Sequence, residues 1–250
     1  MTARTSQNRC RRPRKVGETR ERILLTAERL FSERGIEGVS VRTILAEAGV
    51  NVALAHRHFG SRDGLIDEVL LRAVGPLNER RLLLLDEVEA RGDRATVEDV
   101  LRALFAPGIR WLFEHPDRAR LLAQLQTATD PKLRALHRHH FDAPLQRFAE
   151  ALVRTVSPHL GPREFVCRFT FAHGALQAAY RLAFEVARLA RERLGPDAVP
   201  NERDWVDQIV AFCAAGLRAE AAPRAAAPSQ TPARRAQPDR SRTSSKGNRR

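Results

Sequence analysis

Three imidazoles fall within four residues at His137-Arg138-His139-His140. His137 and His140 stand at i, i+3, a spacing that can bring two ring nitrogens to one metal ion. No Glu or Asp completes a zinc-protease spacing, and none of the three cysteines (Cys10, Cys167, Cys213) lies nearby. No metal and no other cofactor is therefore expected. The two histidines remain candidates for the polar lining of a pocket or for plain helix surface. Covalent catalysis has no better footing, because no nucleophile–base pair sits in a glycine-framed turn and no phosphate loop is present. An enzyme is not expected. The side chains left with chemistry to do are arginines. Arg42, Arg57 and Arg62 are interspersed with Ser40, Thr43, Asn51, His56 and His58. A guanidinium matches phosphate oxygens, and it matches guanine O6 and N7 in a bidentate pair.

Charge points the same way. Across 250 residues, 43 Lys+Arg face 30 Asp+Glu, a net charge of +13. Residues 1–17 contribute +6 and residues 221–250 contribute +7, so 18–220 is neutral. The C-terminal stretch is rich in Pro, Ala, Ser and Arg without apolar period, and it reads as a disordered basic tail; 1–17 reads as a disordered basic arm. Such tails attract polyanions without sequence preference. The alternative is a solubility or compositional role, arginine having largely replaced lysine. With 43% hydrophobic residues the body can bury a core, which excludes wholesale disorder. The longest aliphatic run is Leu82–Leu85, too short for a membrane helix. No apolar stretch follows the basic N-terminus, and three scattered cysteines suit a reduced compartment. A cytoplasmic, nucleoid-associated protein is expected.

The elements that must position these arginines are helices throughout. Ile23, Leu24, Ala27, Leu30 and Phe31 form one amphipathic stripe over 18–34, stopped by Gly35. Ser40 caps a short helix over 40–47 and Gly49 ends it in a tight turn. Asn51 can cap the next helix, 51–58. Gly60 breaks the chain, and Ser61 caps a long helix with the stripe Leu65, Ile66, Val69, Leu70, Ala73, Val74, Leu77. Further helices are predicted over 95–115, 116–127, 131–157, 161–194 and 202–220, with Pro107 and Pro144 inside them as kinks. No strand pattern and no internal repeat is found. The fold class is all-α, with a small N-terminal bundle and a larger C-terminal one.

A short helix, a glycine turn and a second short helix make a helix-turn-helix, whose second helix fits the major groove. That helix would turn Val52, Ala53, His56 and Arg57 to solvent and anchor through Val50 and Phe59. Residues 20–66 resemble the DNA-binding domain of the tetracycline-repressor (TetR) family. The matching stretches are Arg22-Ile23-Leu24 with Ala27 and Leu30-Phe31 to Gly35, Ser40-Val41-Arg42, Ala48-Gly49-Val50-Asn51, and His58-Phe59-Gly60-Ser61-Arg62-Asp63-Gly64-Leu65. The resemblance implies an N-terminal DNA-binding domain at 18–66 and a ligand-binding and dimerisation domain at 67–220. It implies a homodimer on a near-palindromic double-stranded DNA operator, released by a small-molecule effector: a ligand-responsive regulator, expected to be a repressor. On the family's pattern, Arg42 is a base or phosphate contact and Arg62 takes the place of the usual phosphate-binding lysine. The DNA-facing set is Ser40, Arg42, Thr43, Asn51, Val52, Ala53, His56, Arg57, His58 and Arg62. The run Arg9 to Lys15 could reach the minor groove or phosphates beside the site. Three positions depart from the pattern: Arg57 replaces a tyrosine, Leu45 a small residue, and Ala55 a larger aliphatic. The last two suggest a volume exchange across the motif.

In the C-terminal part, the helices over 161–194 and 202–220 occupy the family's dimerisation position. Gly174, Ala178, Leu182, Phe212, Ala215 and Gly216 are the candidate interface, with Ala175, Ala179, Ala214 and Leu217 beside them. Kinked helices with aromatics suggest a pocket for an apolar or aromatic ligand, lined by Phe105, Trp111, His137, His140, Phe141, Phe148, Phe169, His173 and Tyr180. Ordinary core packing is the competing reading for each. An architectural nucleic-acid binder acting through its basic tails is the alternative function.

Overall fold

The computed structural model describes residues 12–51, 58–156 and 160–220, with backbone alone for 12–16. Its helices are α1 (Arg12–Arg34), α2 (Val41–Ala48), α3 (Arg62–Glu89), α4 (Val97–Glu114), α5 (Pro116–Gln126), α6 (Pro131–Thr155), α7 (Pro162–Leu194) and α8 (Glu202–Arg218). Residues 58 and 59 are also helical. Short 3₁₀ turns at Gly92–Arg94 and Pro196–Ala198 sit in the connections. Among the described residues there is no strand, and the all-α expectation holds. No helix among them is long and apolar enough to cross a membrane. The segment 1–11, the tail 221–250 and residues 52–57 (with Val52, Ala53, Ala55, His56 and Arg57) lie outside the described residues.

The helix bounds follow from caps and prolines. α1 begins at Arg12, six residues ahead of the expected start. Arg and Lys are good helix formers, and Pro13 falls in the first turn, where a missing N–H costs nothing. Pro116, Pro131 and Pro162 likewise open the next helix as much as they end the last. Thr96 and Asn201 cap α4 and α8 in reciprocal boxes with Asp99 and Asp204. Helix continues through Pro107 and Pro144, and also through Pro76 inside α3.

The stripe of α1 (Ile23, Leu24, Ala27, Leu30, Phe31) is buried with Ile44, Leu45 and Ala48 of α2 and Leu65, Ile66 and Val69 of α3. Leu45 is fully enclosed; its suggested partner, Ala55, lies outside the described residues. α3 then runs on as the spine of the larger bundle. α4 is buried on nearly every side, as a central helix must be, and packs against α3, α5, α6, α7 and α8.

A polar seam ties α1 to α3 and α5. Glu28 of α1 accepts from Arg118 of α5 and lies 3.5 Å from Arg72 of α3, which also pairs with Glu21 at 2.5 Å. Gln124 Nε2 donates to the Ser32 carbonyl at 3.3 Å. The Glu28 side chain is only 14% exposed, so Glu28→Ala leaves Arg118 without its carboxylate in a half-buried seam, beside an Arg72 that keeps only Glu21. A cost of about 2 kcal/mol in urea denaturation is expected. Glu33→Ala, which breaks the exposed Arg29–Glu33 pair, is expected to cost under ~0.5 kcal/mol. Equal effects would refute the coupling assigned to Glu28.

Candidate nucleic-acid interface

The first half of the motif is set by two backbone devices. Ser40 Oγ accepts from Thr43 N at 3.1 Å and shares a hydroxyl–hydroxyl bond with Thr43 at 2.8 Å. Gly49 takes the left-handed conformation at φ 63°, and Val50 N returns to the Leu45 carbonyl at 2.9 Å. An L side chain is strained at that φ, which is why the turn carries glycine. Arg42 is exposed on α2 and has no hydrogen-bond or ion-pair partner among the described residues. The acid on the same helix is neutralised: Glu47 pairs with Arg29 at 2.5 Å and Arg34 at 3.1 Å. Those bonds, Arg29 first, hold its carboxyl below the usual range. The face near Arg42 is therefore left without a competing carboxylate from α2. Asn51 is exposed at the end of the turn and has a bonding partner of its own.

The second half ends on His58 and Phe59, whose rings meet at 6.0 Å. Arg20 of α1 lies over the Phe59 ring at 5.7 Å and pairs with Glu68 of α3. One arginine thus clamps the end of the helix-turn-helix to α1 and α3, a role invisible in the sequence. Ser61 restarts the chain as the cap of α3, accepting from Gly64 N at 3.0 Å. Arg62 is half-buried and donates to the Ile36 carbonyl at 2.6 Å. It lines a groove with Ser40, Glu37 and Asp130. Part of its donor capacity is spent in holding the α1–α2 connection.

The residues expected to line a pocket do not form one set. Phe105 and Phe148 are fully buried in the core. Trp111 lines a cleft of about 500 Å³ between α3 and α4, whereas Tyr180 lines one of about 550 Å³ between α5 and α7. His137 stacks on Phe141 at 4.7 Å. His140 engages another partner: its Nε2 lies 2.9 Å from Asp67 Oδ1. Among the described residues no group of three or more His, Cys, Asp or Glu could hold a metal ion. Phe169 stacks with Phe165 at 5.7 Å, and His173 follows one turn later on α7. Burial raises the Tyr180 phenol pKa, with Arg81 opposing. Burial lowers His137, and it lowers His173 to about 4 with help from Arg81 and then His137.

A buried polar network joins these positions through two residues that sequence reasoning missed. Arg81 and Asn78 of α3 are enclosed, and Arg81 reaches Tyr180 while Asn78 reaches the His140 carbonyl. The signal was present: Arg81 continues the buried register Leu70, Val74, Leu77, Leu85, Val88. Of the expected dimer residues, Gly174, Ala178, Leu182, Phe212, Ala215 and Gly216 are all exposed. Ala179, Ala214 and Leu217 beside them are instead buried in their own chain.

This is the geometry of a helix-turn-helix regulator with a helical C-terminal domain. The family model for bacterial regulatory proteins of the tetR family matches residues 23–69, and that for tetracyclin repressor-like C-terminal domains matches 102–216. Together they cover well over half of the chain, which belongs to the TetR family. It is 41% identical over 70 residues to the HTH-type transcriptional repressor Rv3405c of Mycobacterium tuberculosis, a match covering 28% of this chain and 37% of that protein. It is 30% identical over 112 residues to the HTH-type transcriptional repressor NicS of Pseudomonas putida, covering 45% and 50%. The chain thus spans between a third and a half of the length of these curated relatives. Among solved structures, a bacterial regulatory protein in the tetR family from Rhodococcus RHA1 superposes with a TM-score of 0.56, covering 82% of this chain and 99% of that one. At 12% identity that likeness is one of fold.

Proposed function

We propose that the protein is a ligand-responsive transcriptional repressor that binds a near-palindromic operator as a homodimer and leaves it when a small effector binds the C-terminal domain. The observation that carries this reading is the Ser40-capped α2 with its left-handed Gly49 turn, on which Arg42 is exposed and has no partner among the described residues while Glu47 is neutralised by Arg29 and Arg34. The proposed division, 18–66 for DNA and 67–220 for ligand and dimer, falls inside α3. A continuous helix there lets a shift in the C-terminal domain turn the DNA-binding part. Two stripes of small and apolar residues support the dimer: Gly174, Ala178 and Leu182 on α7, and Phe212, Ala215 and Gly216 on α8. Leu182 is 50% exposed and Phe212 74%, an apolar cost that a second copy would remove. The curated relatives named repressors favour repression over activation.

Selection of duplex DNA from a random pool tests the reading, run with the full chain and with residues 12–220 so that α1 stays whole. Enrichment of one inverted repeat by both supports it. Motif-free binding by the full chain alone would favour the architectural alternative, with the basic tails carrying the affinity. On the selected operator, Arg42→Ala is expected to lose about 1–3 kcal/mol of binding and under ~0.5 kcal/mol of stability. A uniform loss across sequences marks a phosphate contact, and a loss at one base pair marks readout. Unchanged binding would remove Arg42 from the interface.

A further inference from the structure

Arg81 is the only buried cation among the described residues, 5% exposed, and no carboxylate lies within ion-pair distance of it there. Its hydrogen bonds all go to neutral groups. Nε donates to the Leu104 carbonyl at 3.0 Å, Nη1 to the Asn78 side-chain oxygen at 3.4 Å, and Nη2 to the Tyr180 hydroxyl at 3.1 Å. Asn78 is held in turn by the His140 carbonyl at 2.9 Å. Gly108 of α4 leaves the guanidinium its room, since a Cβ there would stand 2.6 Å from Nη2. Arg72, Arg118 and Arg147 are all more exposed, and each has its carboxylate. Buried cations are ordinarily paired, because the interior cannot solvate them. This one is held in place by neutral partners among the described residues.

Two groups near it carry a hydrogen of their own. Tyr180 keeps its hydroxyl hydrogen. His173 is neutral above about pH 4, and its Nδ1 is buried without a partner. Aromatic side chains lie beside this positive point and farther along the neighbouring helices. Trp111 meets Tyr180 edge-on at 6.3 Å, and the His137–Phe141 and Phe165–Phe169 stacks stand on α6 and α7. α4 packs on both of those helices, while α6 and α7 make little contact with each other.

We propose that this cluster is the polar end of the effector site and that the effector is an organic acid. Its carboxylate pairs with Arg81 and accepts from the Tyr180 hydroxyl, while the aromatic side chains hold its apolar body. The proposal rests on the ligand-responsive reading above and names the chemical class of that ligand.

The test uses the full chain with benzoate, phenylacetate, 1-naphthoate and octanoate, each against its own primary amide. Tryptophan emission and melting temperature are the readouts, Trp111 being next to Tyr180. At least one acid is expected to bind roughly 30-fold or more tightly than its amide. Tyr180→Phe is expected to weaken the acid about tenfold and leave the amide unchanged. Arg81→Gln is expected to erase the preference; if that variant does not fold, Tyr180→Phe decides. Amides that bind as well as acids, acids that bind Tyr180→Phe undiminished, or no acid moving either signal would overturn the proposal. Operator binding by the ligand-free chain is measured separately. Its failure alongside acid binding would remove the repressor reading and leave the acid site. Operator binding with no acid response would do the reverse.

Discussion

Gly64→Ala is expected to destabilise the protein by about 3 kcal/mol, a drop of about 6–12 °C in melting temperature, and to abolish operator binding at moderate salt. Helix propensity alone predicts the opposite sign, since alanine in a helix is better than glycine by about 1 kcal/mol. Space decides the matter. A Cβ on Gly64 would drive into the Phe59 carbonyl oxygen, far inside van der Waals contact. That oxygen is backbone, and it already accepts from Ser61 N at 2.6 Å. The Phe59 ring cannot retreat freely because Arg20 covers it and Glu68 holds Arg20. Relief requires opening the turn at Gly60–Ser61, which breaks the cap from Ser61 Oγ to Gly64 N. The same turn aims the helix that precedes it, so the DNA-binding face moves along with the loss of stability. Gly75 supplies the control on the same helix. Its Cβ would meet only Leu71 Cδ1 at 3.6 Å, an ordinary contact, so Gly75→Ala is expected to stabilise by about 0.5–1 kcal/mol. Urea denaturation of both variants checks the pair. A Gly64→Ala variant as stable as Gly75→Ala would show that the turn yields.

Much of this architecture was legible because it is local. Ser40, Gly49 and Ser61 each act within four residues, and the stripes of α1 and α3 repeat at helical period, so cap and core could be read from spacing. Side chains that act across the fold were not legible. Arg62 looks like a free cation at a helix start, yet it bonds a carbonyl 26 residues away. His140 looks like one of a metal-capable pair, yet its ring faces Asp67, 73 residues away. Arg81 sits beside Arg80 in a charged run, and only its register within the apolar stripe betrays burial. The residues expected to line a pocket are divided for the same reason. Aromatic residues at helical spacing mark a buried face, but spacing does not say whether that face closes on core, as at Phe105 and Phe148, or on a cleft, as at Trp111 and Tyr180.

The same buried cluster gives the protein an acid sensitivity that begins well above the carboxylate range. His173 titrates near pH 4 in the fold against an ordinary 6.5. Burial is the main cause, followed by the positive charge of Arg81 and then by His137; these are the two charged or titratable groups that face it. Below pH 6.5 the unfolded chain takes up a proton that the folded chain refuses. The stabilisation is therefore complete above pH 6.5 and drains away as the pH falls towards 4, by about 3 kcal/mol in all. His137, also lowered by burial, adds to the loss in the same direction. The lowered carboxylates behave differently. Glu21, Glu47 and Glu98 owe their depression chiefly to arginine partners and keep their contribution until the pH falls below their ordinary 4.5. The interval from pH 6.5 to 4.5 thus isolates the two histidines. Urea denaturation across it should show falling stability in the wild type, a shallower slope in His173→Gln, and a nearly flat one in the double variant with His137→Gln. An unaltered slope in His173→Gln would mean that the imidazole is hydrated in the fold and that the positive field around Arg81 is already neutralised.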